Sequence, residues 1–136
     1  AEVVEHLAVV EAGTVALLAP LVESAPLLPP GEQPAPTPIP REMLRDRSTR
    51  VSAPEAIQPK GVLGFAAALA ALEQGRERLL TVLAAAEGRD LRVIGRTHPR
   101  FGQIDGYQCF ALVGAHEERH ALQILEIAAQ LAADPA

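Results

Sequence analysis

Residues 24–61, SAPLLPPGEQPAPTPIPREMLRDRSTRVSAPEAIQPKG, hold most of the chain's 12 prolines. No long helix or central strand runs through such a stretch, because each proline lacks a backbone donor and crowds the turn before it. Regular structure is therefore pushed to either side, and the connection between the two parts has to be long. The alternating PAPTPIP run predicts extended polyproline. Leu27, Leu28, Ile39, Met43, Leu44, Val51 and Ile57 supply apolar handholds, which predict an ordered arm laid along a body instead of a free linker. One domain over residues 1–136 follows, with a Pro-rich crossover at about 26–60.

The flanking segments read as helices. Hydrophobic residues make up 49%, yet there is no Trp and Phe plus Tyr number only three and one. An Ala- and Leu-rich interior of that kind suits closely packed helices better than a sandwich or barrel, so the fold class is all-α. Val3, His6, Val10 and Leu17 form one helical stripe, with Glu2, Glu5 and Glu11 on the other side, until Pro20 and Pro26 close the helix. The stretch 62–88 carries a second stripe of Phe65, Leu69, Leu72, Leu79 and Leu83, stopped at Gly88. Arg76 interrupts it and reads as a guanidinium reaching out past Leu72 and Leu79, with a buried anion-binding arginine as the other reading. RDLRVIGRTHPRFG reads as a loop, and a last helix takes residues 103–132, with Asp105 near its start.

The formal net charge is -5 and the 12 basic residues are scattered, which disfavours a nucleic-acid partner. The Ala- and Leu-rich stretches are broken by Glu, Gln and Arg, so the sequence predicts no bilayer-crossing run and no membrane partner. A single cysteine, Cys109, excludes an internal disulfide and fits a reducing, cytoplasmic setting. The chain opens without Met, already in helical register, and reads as the continuation of a longer one.

HEERH, residues 116–120, places two imidazoles four residues apart on one helix face, where both can reach one metal ion. That face also carries Cys109, Val113, Gln123 and Ile127 and should look inward. With His6 inward-facing on the first helix, three neutral imidazoles from two helices would leave positions open on a metal, as catalytic sites do. A zinc peptidase is a minor alternative, since it needs a third ligand beyond the HExxH helix. Glu126 converges poorly with His120, and Glu117 points a quarter turn aside. The competing class is a non-catalytic helical module in which the three histidines are core residues.

Four motifs in order carry a resemblance: EHL at residues 5–7, APE at 53–55 with Pro59 and Gly61, HPRFG at 98–102, and HEERHALQI at 116–124. Together they resemble the DinB-like (DinB/YfiT) superfamily over nearly the whole chain. The resemblance implies an up-down-down-up four-helix bundle with a long crossover, often dimeric, with a divalent metal on His6, His116 and His120. Zinc or nickel is the first expectation, and imidazole ligation also suits iron and copper.

Members of this superfamily include thiol-dependent transferases and isomerases using low-molecular-weight thiols, and metal-dependent hydrolases. The expected function is accordingly metal-dependent hydrolysis or thiol transfer on a small molecule. His98 and Gln123 are candidates for orienting the ligands from outside the metal's reach, while Arg119 points away as a surface or dimer-contact residue. The chain departs from the family pattern in two ways. The helix that precedes EHL is absent, either trimmed or replaced by a wall from a partner chain, and Cys109 stands where Trp is common.

Overall fold

Pro20 does not end the first helix. In the computed structural model, which describes residues 1–35 and 37–133, α1 runs over Glu2–Ser24 with Pro20 inside it. An interior proline costs a helix about 3 kcal/mol. Leu18 and Val22, on either side of it, are 0% and 1% exposed, and burying each stabilises the fold by about 1.5–3 kcal/mol. Packing therefore outweighs the break, and the helix stops only where Pro26 follows.

The arm follows, with a short helix α2 at Arg41–Arg45 and a 3-10 turn at Glu55–Ile57. Then come α3 at Phe65–Ala85, a second 3-10 turn at Leu91–Val93, strands β1 at Gly95–His98 and β2 at Gly102–Asp105, and α4 at Gly106–Ala133. The expected all-α class holds. The segment read as a loop is instead an antiparallel hairpin pairing Gly95 with Asp105 and His98 with Gly102, so α4 begins later than residue 103. Asp105 caps it: its Oδ1 accepts the Gln108 N–H at 2.8 Å while Gln108 Oε1 accepts the Asp105 N–H at 3.0 Å. This reciprocal pair satisfies two backbone donors at the helix start.

Contacts at the helix ends give the topology. Glu5 Oε1 and Oε2 accept the N–H groups of Lys60 and Gly61 just before α3, and at the opposite end Arg89 donates to the carbonyls of Glu23 and Ala25. Helices α1 and α3 therefore run parallel, which requires the long crossover. The α4 helix starts beside Arg89, whose carbonyl accepts from the Tyr107 hydroxyl, and brings His116 back to His6, so it is antiparallel to both. The result is a down-down-up set of long helices, around a core of residues such as Leu18, Val22, Val82, Leu91, Ile104 and Leu112.

Several packing expectations need correction. The α3 face turned inward is Ala68, Gly75, Leu79 and Val82, whereas Phe65, Leu69 and Leu83 of the expected stripe are exposed. Among the arm's handholds Leu44 is buried and Leu28, Ile39 and Ile57 partly so, but Leu27, Met43 and Val51 stay exposed. Polar contacts hold the arm instead. Arg41 and Arg45 meet Glu118, Arg47 meets Glu126, and Arg119 donates to the carbonyls of Leu44, Asp46 and Thr49. Arg119 is thus a strap for the arm and not a surface contact. The polyproline reading of PAPTPIP includes Pro36, which lies outside the described residues.

Contrary to the expectation of no membrane-length run, α1 is long and apolar enough to cross a bilayer, the one such helix among the described residues. Its buried polar residues Glu5, His6 and Glu11 are all bonded within the bundle, which a lipid-facing helix would forfeit. Glu5 and Glu11, placed by spacing on the polar side of α1, are 3% and 1% exposed.

Candidate metal centre

Near the start of α1, His6 is 5% exposed and faces α4. His116 and His120, one turn apart on α4, meet it. His116 Nε2 lies 3.2 Å from His6 Nε2 and 3.1 Å from His120 Nε2, and ligand atoms of all three lie within 4.8 Å of one another.

The far nitrogens decide the proton positions. His6 Nδ1 is 2.6 Å from the Ile57 carbonyl, an acceptor only, so that nitrogen carries the proton. His120 Nδ1 donates to Gln123 Oε1 at 2.7 Å. With a single ring proton, placed on Nδ1, His6 and His120 each turn an Nε2 lone pair toward His116. His116 Nε2 has at most one proton to offer two acceptors, so at least one close N···N contact has no proton between its two atoms. A cation between them removes the conflict. Zn–N bonds of about 2.0–2.1 Å at angles near 90–110° put ligand nitrogens about 2.9–3.4 Å apart, and the two close separations fall in that range. The donor set therefore fits a divalent ion bound through Nε2, with Ile57 and Gln123 fixing ring orientation from behind.

Burial, with His120 and His6 as neighbouring rings, pulls the His116 pKa down to about 3. Burial also lowers that of His120, against the opposing hydrogen bond to Gln123. Both rings are then neutral at physiological pH, the state a metal ligand requires.

His6 and His120 form part of the floor of a cleft of about 550 Å³ whose walls include Arg47, Arg50, Val51, Arg119, Gln123 and Glu126. The arm thus builds one wall over the histidines. Behind His116 lies a smaller cavity of about 130 Å³ that Cys109 and His98 also line. Cys109 is 4% exposed and burial pushes its thiol pKa up, as for an inert small hydrophobe. His98 does not join the other three histidines: its Nδ1 accepts the Arg100 N–H at 3.1 Å and its ring stacks on Phe101 at 4.7 Å.

Glu117, the residue a HExxH peptidase would use as its base, is not in the cleft. It lines a separate apolar groove with Leu7, Leu69 and Leu72 and is bonded to Arg76, which also pairs with Glu11. Arg76 combines the two readings: its side chain reaches outward, 41% exposed, and its guanidinium binds two carboxylates without being buried. The Ile57 carbonyl is beyond sequence reasoning, being a backbone group. The signal available for it is the cluster of APE, Pro59 and Gly61. Those residues form the turn that presents Ile57, and Gly61 takes a φ of 67°, which favours glycine, where Glu5 holds it.

A family model of the DinB superfamily matches residues 1–124 of the chain. No curated protein and no solved structure matches it.

Proposed function

The chain belongs to the DinB superfamily, and from that premise we propose that it is a metal-dependent enzyme acting on a small molecule by hydrolysis or thiol transfer. His6, His116 and His120 are the ligands. The observation that carries this reading is the convergence of three Nε2 atoms, two of them with Nδ1 already committed to Ile57 and Gln123. Zinc or nickel is the favoured ion, with iron or copper next. When bound, a divalent ion supplies Lewis acidity that lowers the pKa of a thiol or water.

The residues around it do the rest. Arg47, Arg50 and Arg119 outnumber Glu2 and Glu126 in the cleft walls, which favours a ligand bearing negative charge, such as a low-molecular-weight thiol with a carboxylate. The arm limits access of water from one side. The test uses cobalt-substituted protein titrated with cysteine and, separately, with simple ester substrates. A near-ultraviolet thiolate-to-cobalt band supports thiol transfer, and saturable ester turnover supports hydrolysis. With neither, the enzymatic reading is lost. A reducing compartment, taken as the cytoplasm, fits the single buried Cys109.

We also propose a homodimer. Phe65, Leu69, Leu80 and Leu83 on α3, with Ile124, Leu125 and Leu131 on α4, leave large apolar side chains in water, more than a lone small chain commonly exposes. Sedimentation equilibrium at micromolar protein is expected to give twice the chain mass, and Leu83→Glu with Leu125→Glu to halve it. A monomeric parent refutes the dimer.

A further inference from the structure

Helix α3 carries none of the three histidines, yet it reaches both helices that do. The Arg76 side chain leaves α3 and its Nε and Nη2 donate to Glu11 Oε1 at 3.1 and 2.5 Å, while Nη2 also bonds Glu117 Oε1. Glu11 follows His6 on α1 by five residues, about 140° around the helix, and Glu117 follows His116 on α4 by one, about 100°. We propose that Arg76 is a positioning residue for the histidine centre, its guanidinium joining Glu11 of α1 to Glu117 of α4 and so fixing the separation and register of the two helices that carry the imidazoles. The inference rests on the metal reading above.

Three features support a locating role beyond packing. The α1 helix packs chiefly on α3 and only lightly on α4, so little else sets the α1–α4 distance at the depth of His6. The carboxylate of Glu11 is closely enclosed, held through Oε1 with Oε2 buried and without a hydrogen-bond partner among the described residues. It is 1% exposed, and a Cβ on Gly75 would lie 3.3 Å from Glu11 Oε2, tight enough to displace it. Finally, the Arg76 side chain is 41% exposed while Glu11 is 1% exposed, and an ion pair half open to solvent adds little stability of its own. Its best-attested use is to specify register, which a guanidinium with a planar fork does better than an ammonium. If α4 slides one turn along α1, both Glu117 and His116 are lost from their partners together.

The experiment compares the parent with Arg76→Met, Arg76→Lys and Glu117→Ala. Zinc affinity is read by competition with a chromophoric chelator, and ligand geometry by the visible spectrum of the cobalt form. The α1–α4 distance is read in metal-free protein by nitroxides at Ala12→Cys and Ala128→Cys. Arg76→Met is expected to weaken zinc binding ten- to a hundredfold, as loss of a ligand-orienting partner does, to shift the cobalt bands, and to broaden a narrow distance distribution. Arg76→Lys should fall between it and the parent. If affinity, spectrum and distance all stay as in the parent while only the melting temperature drops, Arg76 is a packing residue and the proposal fails. Should Arg76→Met not fold, Glu117→Ala keeps the Glu11 pair and gives the same three readings. A parent that takes up no zinc or cobalt ends the metal reading alone, and the nitroxide distance still judges Arg76.

Discussion

Protein purified without a nickel column is expected to carry close to one divalent ion per chain, and His116→Ala to carry none. His116 is the ring shared by both short Nε2 contacts, so its removal leaves two ligands from different helices and no centre. Because a metal bound only to the folded state stabilises by mass action, about 4 kcal/mol at a thousandfold excess over Kd, chelation should lower the melting temperature by about 10 °C or more. Gln123→Leu, which removes the acceptor behind His120, should weaken binding about ten- to a hundredfold without abolishing it. The pH dependence has a definite sign. Unfolded imidazoles take protons below about 6.5, whereas folded His116 does so only near 3 and His120 below its ordinary value. Stability of the metal-free protein is therefore present above about pH 6.5 and is lost as pH falls toward 3. Elemental analysis and melting curves check all of this. A parent that contains no metal and takes up none on dialysis against zinc or nickel would reduce the three histidines to core residues.

The parts of this site that lie on one helix are legible in the sequence alone. His116 and His120 follow from i, i+4 spacing, and Gln123 from the next turn of the same face. His6 is legible as inward-facing from its apolar stripe, which makes it a candidate third ligand, and the family resemblance then matches it to the other two, since no pattern within one helix names its neighbour. The crossover is legible because prolines exclude the alternatives, and parallel α1 and α3 require it.

Where the sequence misleads, the reason is the same geometric one. A helical wheel has one axis and does not count neighbours: Glu5 and Glu11 sit on the polar side of α1, and both are buried because α3 and the arm cover that side. Arg76 lies on an apolar stripe, and the carboxylates near it in the pattern, Glu73 and Glu77, are not the ones it binds, since Glu11 is 65 residues away. The hairpin strands are four residues each, too short for alternation to register against their glycines. Gly75, a glycine in the middle of α3, is the sign in the sequence of a close approach, and Glu11 is what approaches.

Arg76→Met is expected to destabilise the fold by an amount that grows with pH. In the parent, burial raises the Glu11 pKa, while the charge and the hydrogen bond of Arg76 hold it down. Removing Arg76 deletes both opposing causes, so the carboxyl pKa rises further and the group takes a proton where the unfolded carboxylate does not. A raised folded pKa contributes stability that is complete below the unfolded value, near 4.5, and is lost as pH rises toward the folded one. Near pH 4.5 the variant should therefore lie close to the parent, its Glu11 neutral and buried as a small polar group. At pH 8 it must either bury an unpaired carboxylate or keep a proton against the solvent; breaking a fully buried pair from one side costs about 3–5 kcal/mol, an upper bound here because the Arg76 side chain is 41% exposed. Denaturant unfolding of both metal-free proteins at the two pH values measures the difference. Glu11→Leu combined with Arg76→Met should recover most of the loss at pH 8, because no charge is then left behind. A penalty for Arg76→Met that is the same at both pH values would show that Glu11 is not the group it holds.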